Sequence, residues 1–157
     1  MLFRSAAAID WGTVLLFAGG IALGKMMLDT TLAASLGAAL VAGTGLTSQT
    51  GITAAAVGAG VLISETASNT VSANIVVPVM VSIAGAAGVS GLVPALGATL
   101  GASFGFMLPV STPPNALIYG TRQLTILQMV RTGLLLDLLG GLMVWAYLSY
   151  LLPHWFS

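Results

Sequence analysis

The sequence predicts an all-α integral membrane protein. Three observations carry that reading. Of its 157 residues, 57% are hydrophobic and 5% are charged, whereas a soluble domain carries roughly 25% charged residues. So few charges could not cover a water-facing surface. Residues 30–64 and 66–121 contain no Asp, Glu, Lys or Arg, and a membrane-crossing helix needs about 20 apolar residues. Glycine, proline and hydroxyl clusters then punctuate those runs at intervals suited to helices.

Net charge is zero and there is no Cys. Nothing points to nucleic acid, and disulfides, thiolate metal sites and Cys catalysis are excluded. The opening MLFRSAAAIDWG does not fit a cleaved signal peptide, because its apolar stretch is short and Asp10 follows. Residues 1–157 read as a single membrane domain, or part of one, with no soluble domain or long linker.

The first helix falls within residues 11–42 and opens with WGTVLLFAGGIALGKMML. Gly19-Gly20 with Gly24 form either a small-residue face for close helix packing or a break. Lys25 and Asp29 are i,i+4 partners at its interface end, and residues 31–42 are expected to lie along the interface. GTGLTSQTG, residues 43–51, is a turn signal.

Residues 52–63 are apolar but too short to cross, and a polar run, SETASNTVS, follows. Residues 71–87 are helical again, closed by GAAGVSG. Residues 52–87 are thus expected to form a re-entrant hairpin with 64–70 at its tip. Residues 92–110 read as the next helix, with Gly97, Gly101 and Gly105 as a GxxxGxxxG packing ladder.

STPPN, residues 111–115, interrupts that helix, since consecutive prolines cannot sit in an ordinary helix interior. Residues 92–121 are therefore expected to be a proline-broken helix. The final helix is placed at 132–152, ending at Pro153 with Trp155 and Phe156 as interface anchors. Arg122 and Arg131 make the intervening loop the most basic connection, which places it in the cytoplasm and the final helix's exit on the other side.

Two polar clusters stand at membrane depth. Ser68-Asn69-Thr70 precedes one helix, and Ser111-Thr112 precedes Pro113, a favoured first helical residue. Both read as helix N-termini in the bilayer, whose free N–H groups and partial positive charge attract anions. The segments before them end in free carbonyls, which suit a cation. Discontinuous helices of this kind hold substrate and coupling ion in secondary transporters. The plainer alternative is two kinks whose hydroxyls are satisfied locally.

Glu65 lies at the carbonyl end of the first hairpin arm, where the dipole disfavours an acid. A cation, protonation, water or an amide donor at the hairpin base would relieve it. Asp137 is expected to pair with Arg131 or Arg122. The single His, His154, reads as a surface residue. With no GxSxG, Walker motif or dinucleotide fingerprint, no enzyme is expected.

SNTVSANIVVPV and STPPNALIYGT resemble the second-half signature of the divalent anion/sodium symporters, and LLFAGGIALGKMML resembles the segment before the hairpin in that family. The similarity runs from about Trp11 to the C-terminus. It implies sodium-coupled symport of di- or tricarboxylates, or of sulfate-like anions, by a multi-pass protein of the cell membrane. Na+ is the coupling ion and no other cofactor is implied. By position, Ser68, Asn69 and Thr112 would bind sodium. Asn69, Thr70, Thr112 and Pro113 would meet a substrate carboxylate. Glu65, Pro114, Asn115 and Gly120 belong to the motif in structural roles.

Two departures accompany the likeness. The family often continues YGTG, whereas this chain has Arg122 after Thr121. The chain also matches one of the family's two inverted repeats. The expectation is a C-terminal half whose partner is a missing N-terminal half or a second copy. The alternatives are a truncated or split-gene subunit inactive alone, or a half-transporter working as an antiparallel dimer.

Overall fold

A computed structural model describes residues 11–152. The N-terminal stretch weighed as a signal peptide, and Pro153, His154, Trp155 and Phe156, lie outside those residues. The first helix, α1 (Trp11–Asp29), is continuous through Gly19-Gly20, so the expected alternative of a break there is not seen. Gly20 instead faces the Asn74 side chain so closely that a Cβ would collide with it, which is the close-packing use of a small residue. Lys25 and Asp29 pair at 2.8 Å.

Thr30 takes an extended backbone and starts α2 (Thr31–Thr44). Gly45, at φ 67°, closes that helix by donating its N–H to the Val41 carbonyl at 2.8 Å. A left-handed residue here satisfies an otherwise orphaned carbonyl. Gly37 lets α2 press on the following hairpin, since a Cβ there would sit 2.8 Å from the Ser82 carbonyl oxygen.

The next helix, α3 (Gln49–Ser64), begins three residues before the expected 52, because Ser48 accepts a hydrogen bond from the Gly51 amide and caps it. Glu65 to Ser68 turn the chain, and α4 (Asn69–Ala86) follows with Ser68 as its cap, accepting from the Val71 amide. Pro78 lies inside α4 and supplies no N–H to the turn before it. α3 and α4 pack on each other and α4 also packs against α1 and α2.

α5 (Leu92–Gly101) ends nine residues short of the expected 110. The chain is then unwound to Thr112, the cap position of α6 (Pro113–Gly120). The cause is tertiary. The amides of Met107 and Leu108 donate to the Glu65 carboxylate instead of continuing a helix, and Pro109 disfavours helix at Leu108. The glycine ladder is accordingly shortened. Gly97 and Gly101 pack on α3, but Gly105 lies in the unwound segment beside Ser64.

The seam between α3 and α5 is closely packed. A Cβ on Gly60 would lie 2.6 Å from the Ala98 carbonyl oxygen, and one on Gly101 would lie 2.5 Å from that of Val57. Ile52, Ala56 and Ala98 around it are fully buried. At Gly60 and Gly101 backbone lies directly on backbone, the geometry small residues permit where lipid supplies no hydrophobic drive.

α7 (Ile126–Ala146) starts six residues before the expected 132, set by a reciprocal cap between Thr125 and Gln128. It passes into a π-helical turn, Tyr147–Leu151. Arg131 is therefore inside a helix and not at a loop edge. α4 and residues 126–151 are each long and apolar enough to cross a membrane, and the bent pair of α2 and α3, at 107°, adds a third candidate. Leu135, Leu138, Leu142 and Met143 point outward from α7. This is an all-α, multi-pass integral membrane protein.

Candidate functional site between the hairpin tip and the broken helix

The site is built where the α3–α4 turn meets the unwound segment. Glu65, 3% exposed, holds the two together. Its carboxylate accepts the Met107 amide at 3.0 Å, the Leu108 amide at 2.9 Å and the Ser111 hydroxyl at 2.7 Å. Hydrogen bonds to a charged acceptor are about twice as strong as neutral ones. Three of them offset both the burial of the acid and its unfavourable place at a helix C-terminus. Of the forms of relief the sequence leaves open for Glu65, the structure shows amide donors.

Ser64, fully buried, makes the second junction. Its hydroxyl lies 2.7 Å from the Asn69 Oδ1 and 2.7 Å from the Ala102 carbonyl oxygen. A hydroxyl has one proton to give. Two acceptors at equal distance therefore compete for it, and the cluster holds more lone pairs than donors. Three neutral oxygens from a hydroxyl, an amide and a main-chain carbonyl are the kind of ligands that hard cations take.

Asn115 makes the third junction. Its side-chain amide donates to the Gly105 carbonyl at 2.9 Å and to the Leu108 carbonyl at 3.0 Å. It thereby ties the start of α6 to the loop that Glu65 grips.

The features suited to an anion are the N-termini of α4 and α6. At α4 the Val71 amide is taken by Ser68 and the Ser72 amide by the Ser68 carbonyl, leaving the Asn69 and Thr70 amides pointing out of the helix end. α6 offers less, because Pro113 and Pro114 at its first two positions have no N–H. The Asn115 amide is the first donor there. Ser68 is exposed, while Asn69, Thr70 and Thr112 are half-buried. Pro113, Pro114 and Gly120 are exposed, and a Cβ on Gly120 would meet open space.

Tip and break are joined through Glu65–Ser111, the residue before Thr112, and through Ser64–Ala102. Among the described residues no hydrogen bond links Thr112 directly to Asn69 or Thr70. Sequence reasoning singled out Asn69 and Glu65 but not Ser64 or Ser111 as their partners. The signal for Ser64 was its place as the last residue of an apolar helix, five before Asn69.

Asp137 departs from expectation. Among the described residues it forms no ion pair with Arg131 or Arg122. It is 3% exposed and turned inward, because it shares a face of α7 with Gly133 and Gly140, at i−4 and i+3. Those glycines seat α7 directly on the backbone of Phe106 and the ring of Phe104, while the arginines lie toward the start of the helix and beyond.

The family described as the sodium:sulfate symporter transmembrane region matches residues 5–155. The sodium-dependent dicarboxylate transporter SdcS of Staphylococcus aureus strain MRSA252 is 32% identical over 148 residues, covering 94% of this chain and 28% of that protein. The proteins of the same name from strains USA300 and N315 match at the same identity and coverage. This chain therefore spans just over a quarter of the length of these relatives. With a match running almost end to end, the chain belongs to the sodium:sulfate symporter transmembrane family.

Proposed function

We propose that this chain forms one half of the transport site of a sodium-coupled symporter for a di- or tricarboxylate or a related divalent anion. The observation that carries the reading is the surplus of acceptors at Ser64, Asn69 and Ala102. A sodium ion at the tip, with Ser68, Asn69 and Thr112 as the side chains nearest the two helix starts, supplies the positive charge that these oxygens lack.

Sodium then holds the tip and the unwound segment in one arrangement. The amides of Asn69 and Thr70, together with the partial charge of the α4 N-terminus, next meet one carboxylate of the anion. Thr112 and the Pro113 end of α6 face it from the other side. Charge balance makes the order sodium first, anion second, because the ion offsets the negative charge that enters. Movement of this half against a scaffold would expose the site alternately to the two sides.

α6 presents Leu117, Ile118 and Tyr119 outward. That fits a site completed by a second segment or a second chain. The activity for which the relatives are named, sodium-dependent dicarboxylate transport, and their greater length support the same reading.

The test is uptake of labelled succinate into proteoliposomes under an inward sodium gradient. The chain is reconstituted alone and with a segment carrying the other repeat of a relative. Sodium-dependent uptake by the combination, lost with Asn69→Ala, supports the proposal. Uptake equal with and without sodium, and unchanged by Asn69→Ala, overturns it.

A further inference from the structure

The elbow between α6 and α7, residues 121–125, opens on a cleft of about 840 Å³, away from the hairpin tip. Tyr119, Arg122 and Thr125 bring polar groups to its wall, and Leu124, Ile126 and Leu127 bring apolar ones. All six residues are exposed. Residues 126–151 are long and apolar enough to cross a membrane. The elbow just before Ile126 therefore lies where the bilayer meets water.

Arg122 is the residue that the backbone singles out. Its φ of 57° is left-handed, a conformation that glycine takes without strain and an L-residue does not. Its amide donates to the Tyr119 carbonyl at 3.0 Å, which closes the last turn of α6, and its side chain is exposed. Arg131 supplies a second exposed cation. It follows Leu127 by four residues and so shares that face of α7. A long side chain in a helix covers the turn before its own Cα, and an arginine stem laid on apolar surface carries its charge toward water. Both properties direct Arg131 back toward the cleft.

The chain gives neither arginine a counter-charge. Its four acidic side chains are Asp10, Asp29, Glu65 and Asp137. Glu65 and Asp137 are buried, Asp29 pairs with Lys25, and Asp10 lies outside the described residues. Among the described residues no ion pair involves Arg122 or Arg131. The missing anion has to come from outside, and the apolar wall says what carries it. A free anion such as sulfate or a dicarboxylate gains nothing from Leu124, Ile126 and Leu127. A phospholipid offers a phosphate to the arginines and acyl chains to the leucines. Leu117 and Ile118, exposed on α6, extend the same apolar surface.

We infer that this cleft binds an anionic phospholipid, with its phosphate held by Arg122 and Arg131 and its acyl chains running along α7 from Ile126 and Leu127. The planar guanidinium fork matches phosphate oxygens two at a time, and basic pockets beside membrane helices select anionic headgroups. The bound lipid fixes the elbow at the membrane surface. The site is separate from Ser68, Asn69 and Thr112, and it does not depend on which ion or anion is carried there.

The probe is phosphatidylglycerol, with phosphatidylcholine of the same acyl chains as the control. Each is added at equal mole fraction to the purified full chain in detergent. Phosphatidylglycerol should raise the thermal midpoint more than phosphatidylcholine does. That difference should disappear in Arg122→Gln with Arg131→Gln and persist in Lys25→Gln, which removes a different exposed cation. Native mass spectrometry of Arg122→Lys gives a second readout that does not need the double variant to fold. Lysine keeps the charge but not the fork, so fewer phosphatidylglycerol molecules should stay bound than in the parent chain. The inference is overturned by an equal effect of the two lipids, by a difference that survives in the double variant or is lost in Lys25→Gln, or by undiminished retention in Arg122→Lys. Abolition of the phosphatidylglycerol effect by millimolar succinate or sulfate would also overturn it, since the cleft would then belong to a free anion.

Discussion

Glu65 and Asn69 stand four residues apart across one turn, and their hydrogen-bonding positions are opposite. Glu65 is deeply buried and engaged by the Met107 and Leu108 amides and by the Ser111 hydroxyl, which lies within reach of both its carboxylate and its main-chain carbonyl. Asn69 is neutral, half-buried and shares one serine proton with a main-chain carbonyl. An acid held on both oxygens by neighbouring donors acts as a fastening. An unsaturated amide has capacity left, and that capacity is what a binding site requires. The residue with the charge is the structural one, and the neutral residue beside it is the candidate ligand.

The largest expected effect comes from removing the fastening. Glu65→Ala strands the Met107 and Leu108 amides and the Ser111 hydroxyl in a partly buried loop. Each unsatisfied group costs about 1–3 kcal/mol, so destabilisation on the order of 3 kcal/mol is expected, read as a fall in the thermal midpoint in detergent. The unwound segment should also become accessible to protease. If Glu65→Ala left stability unchanged, the division between fastening and ligand would not hold.

The α3–α5 seam provides the next effect and an internal control. Gly60→Ala drives a methyl into the Ala98 carbonyl and the Ala102 amide. Overpacking of this kind costs about 1–3 kcal/mol. Gly58, two residues earlier on the same helix, has open space at its Cβ position. There, Gly58→Ala should stabilise by about 0.5–1 kcal/mol through the lower entropy of the unfolded chain. Opposite signs from one substitution in one helix would separate packing from helix propensity. Ala102 also accepts from Ser64, so Gly60→Ala should weaken sodium binding as well, while Gly58→Ala should not.

Asn69→Ala sharpens the comparison from the other side. It removes one neutral hydrogen bond, which is worth about 1 kcal/mol, and leaves Ser64 free to donate to Ala102. Stability should fall by about that amount, far less than in Glu65→Ala. The difference should appear in sodium instead. The rise in thermal midpoint on exchanging potassium for sodium should vanish in Asn69→Ala. Persistence of that rise would move the ion site away from the tip.

The parts of this arrangement that are legible in the sequence are the ones with local causes. Ser68 caps α4 because a hydroxyl before a helix start finds the Val71 amide wherever the rest of the chain lies. Pro113 begins α6 because its fixed φ suits a first turn. The end of α5 at Gly101 is not legible, since it is set by an acid 36 residues earlier that claims the amides of Met107 and Leu108. Only Pro109 gives a local hint. Asp137 misleads for a related reason. Its charge suggests arginine partners nearby in sequence, whereas its helix face, shared with Gly133 and Gly140, decides that it points inward.

The smallest expected effect lies away from both residues. Arg122 has φ 57°, and among the described residues it is the one non-glycine in the left-handed region. It follows α6 at the place where the resembling family often has glycine. An L-residue there costs roughly 1–2 kcal/mol, and part of the gain from replacing it is returned as unfolded-state entropy, about 0.5–1 kcal/mol for glycine. Arg122→Gly should therefore stabilise by about 0.5–1 kcal/mol, and Arg122→Asn, which tolerates the same region, should gain less. Arg122 makes no ion pair among the described residues, so no lost contact opposes the gain. Neither change touches Ser64, Glu65 or Asn69, so the sodium-dependent shift should stay as in the parent chain. An altered shift would mean that the far end of α6 is coupled to the site, and the boundary between fastening and binding would then have to extend through Asn115.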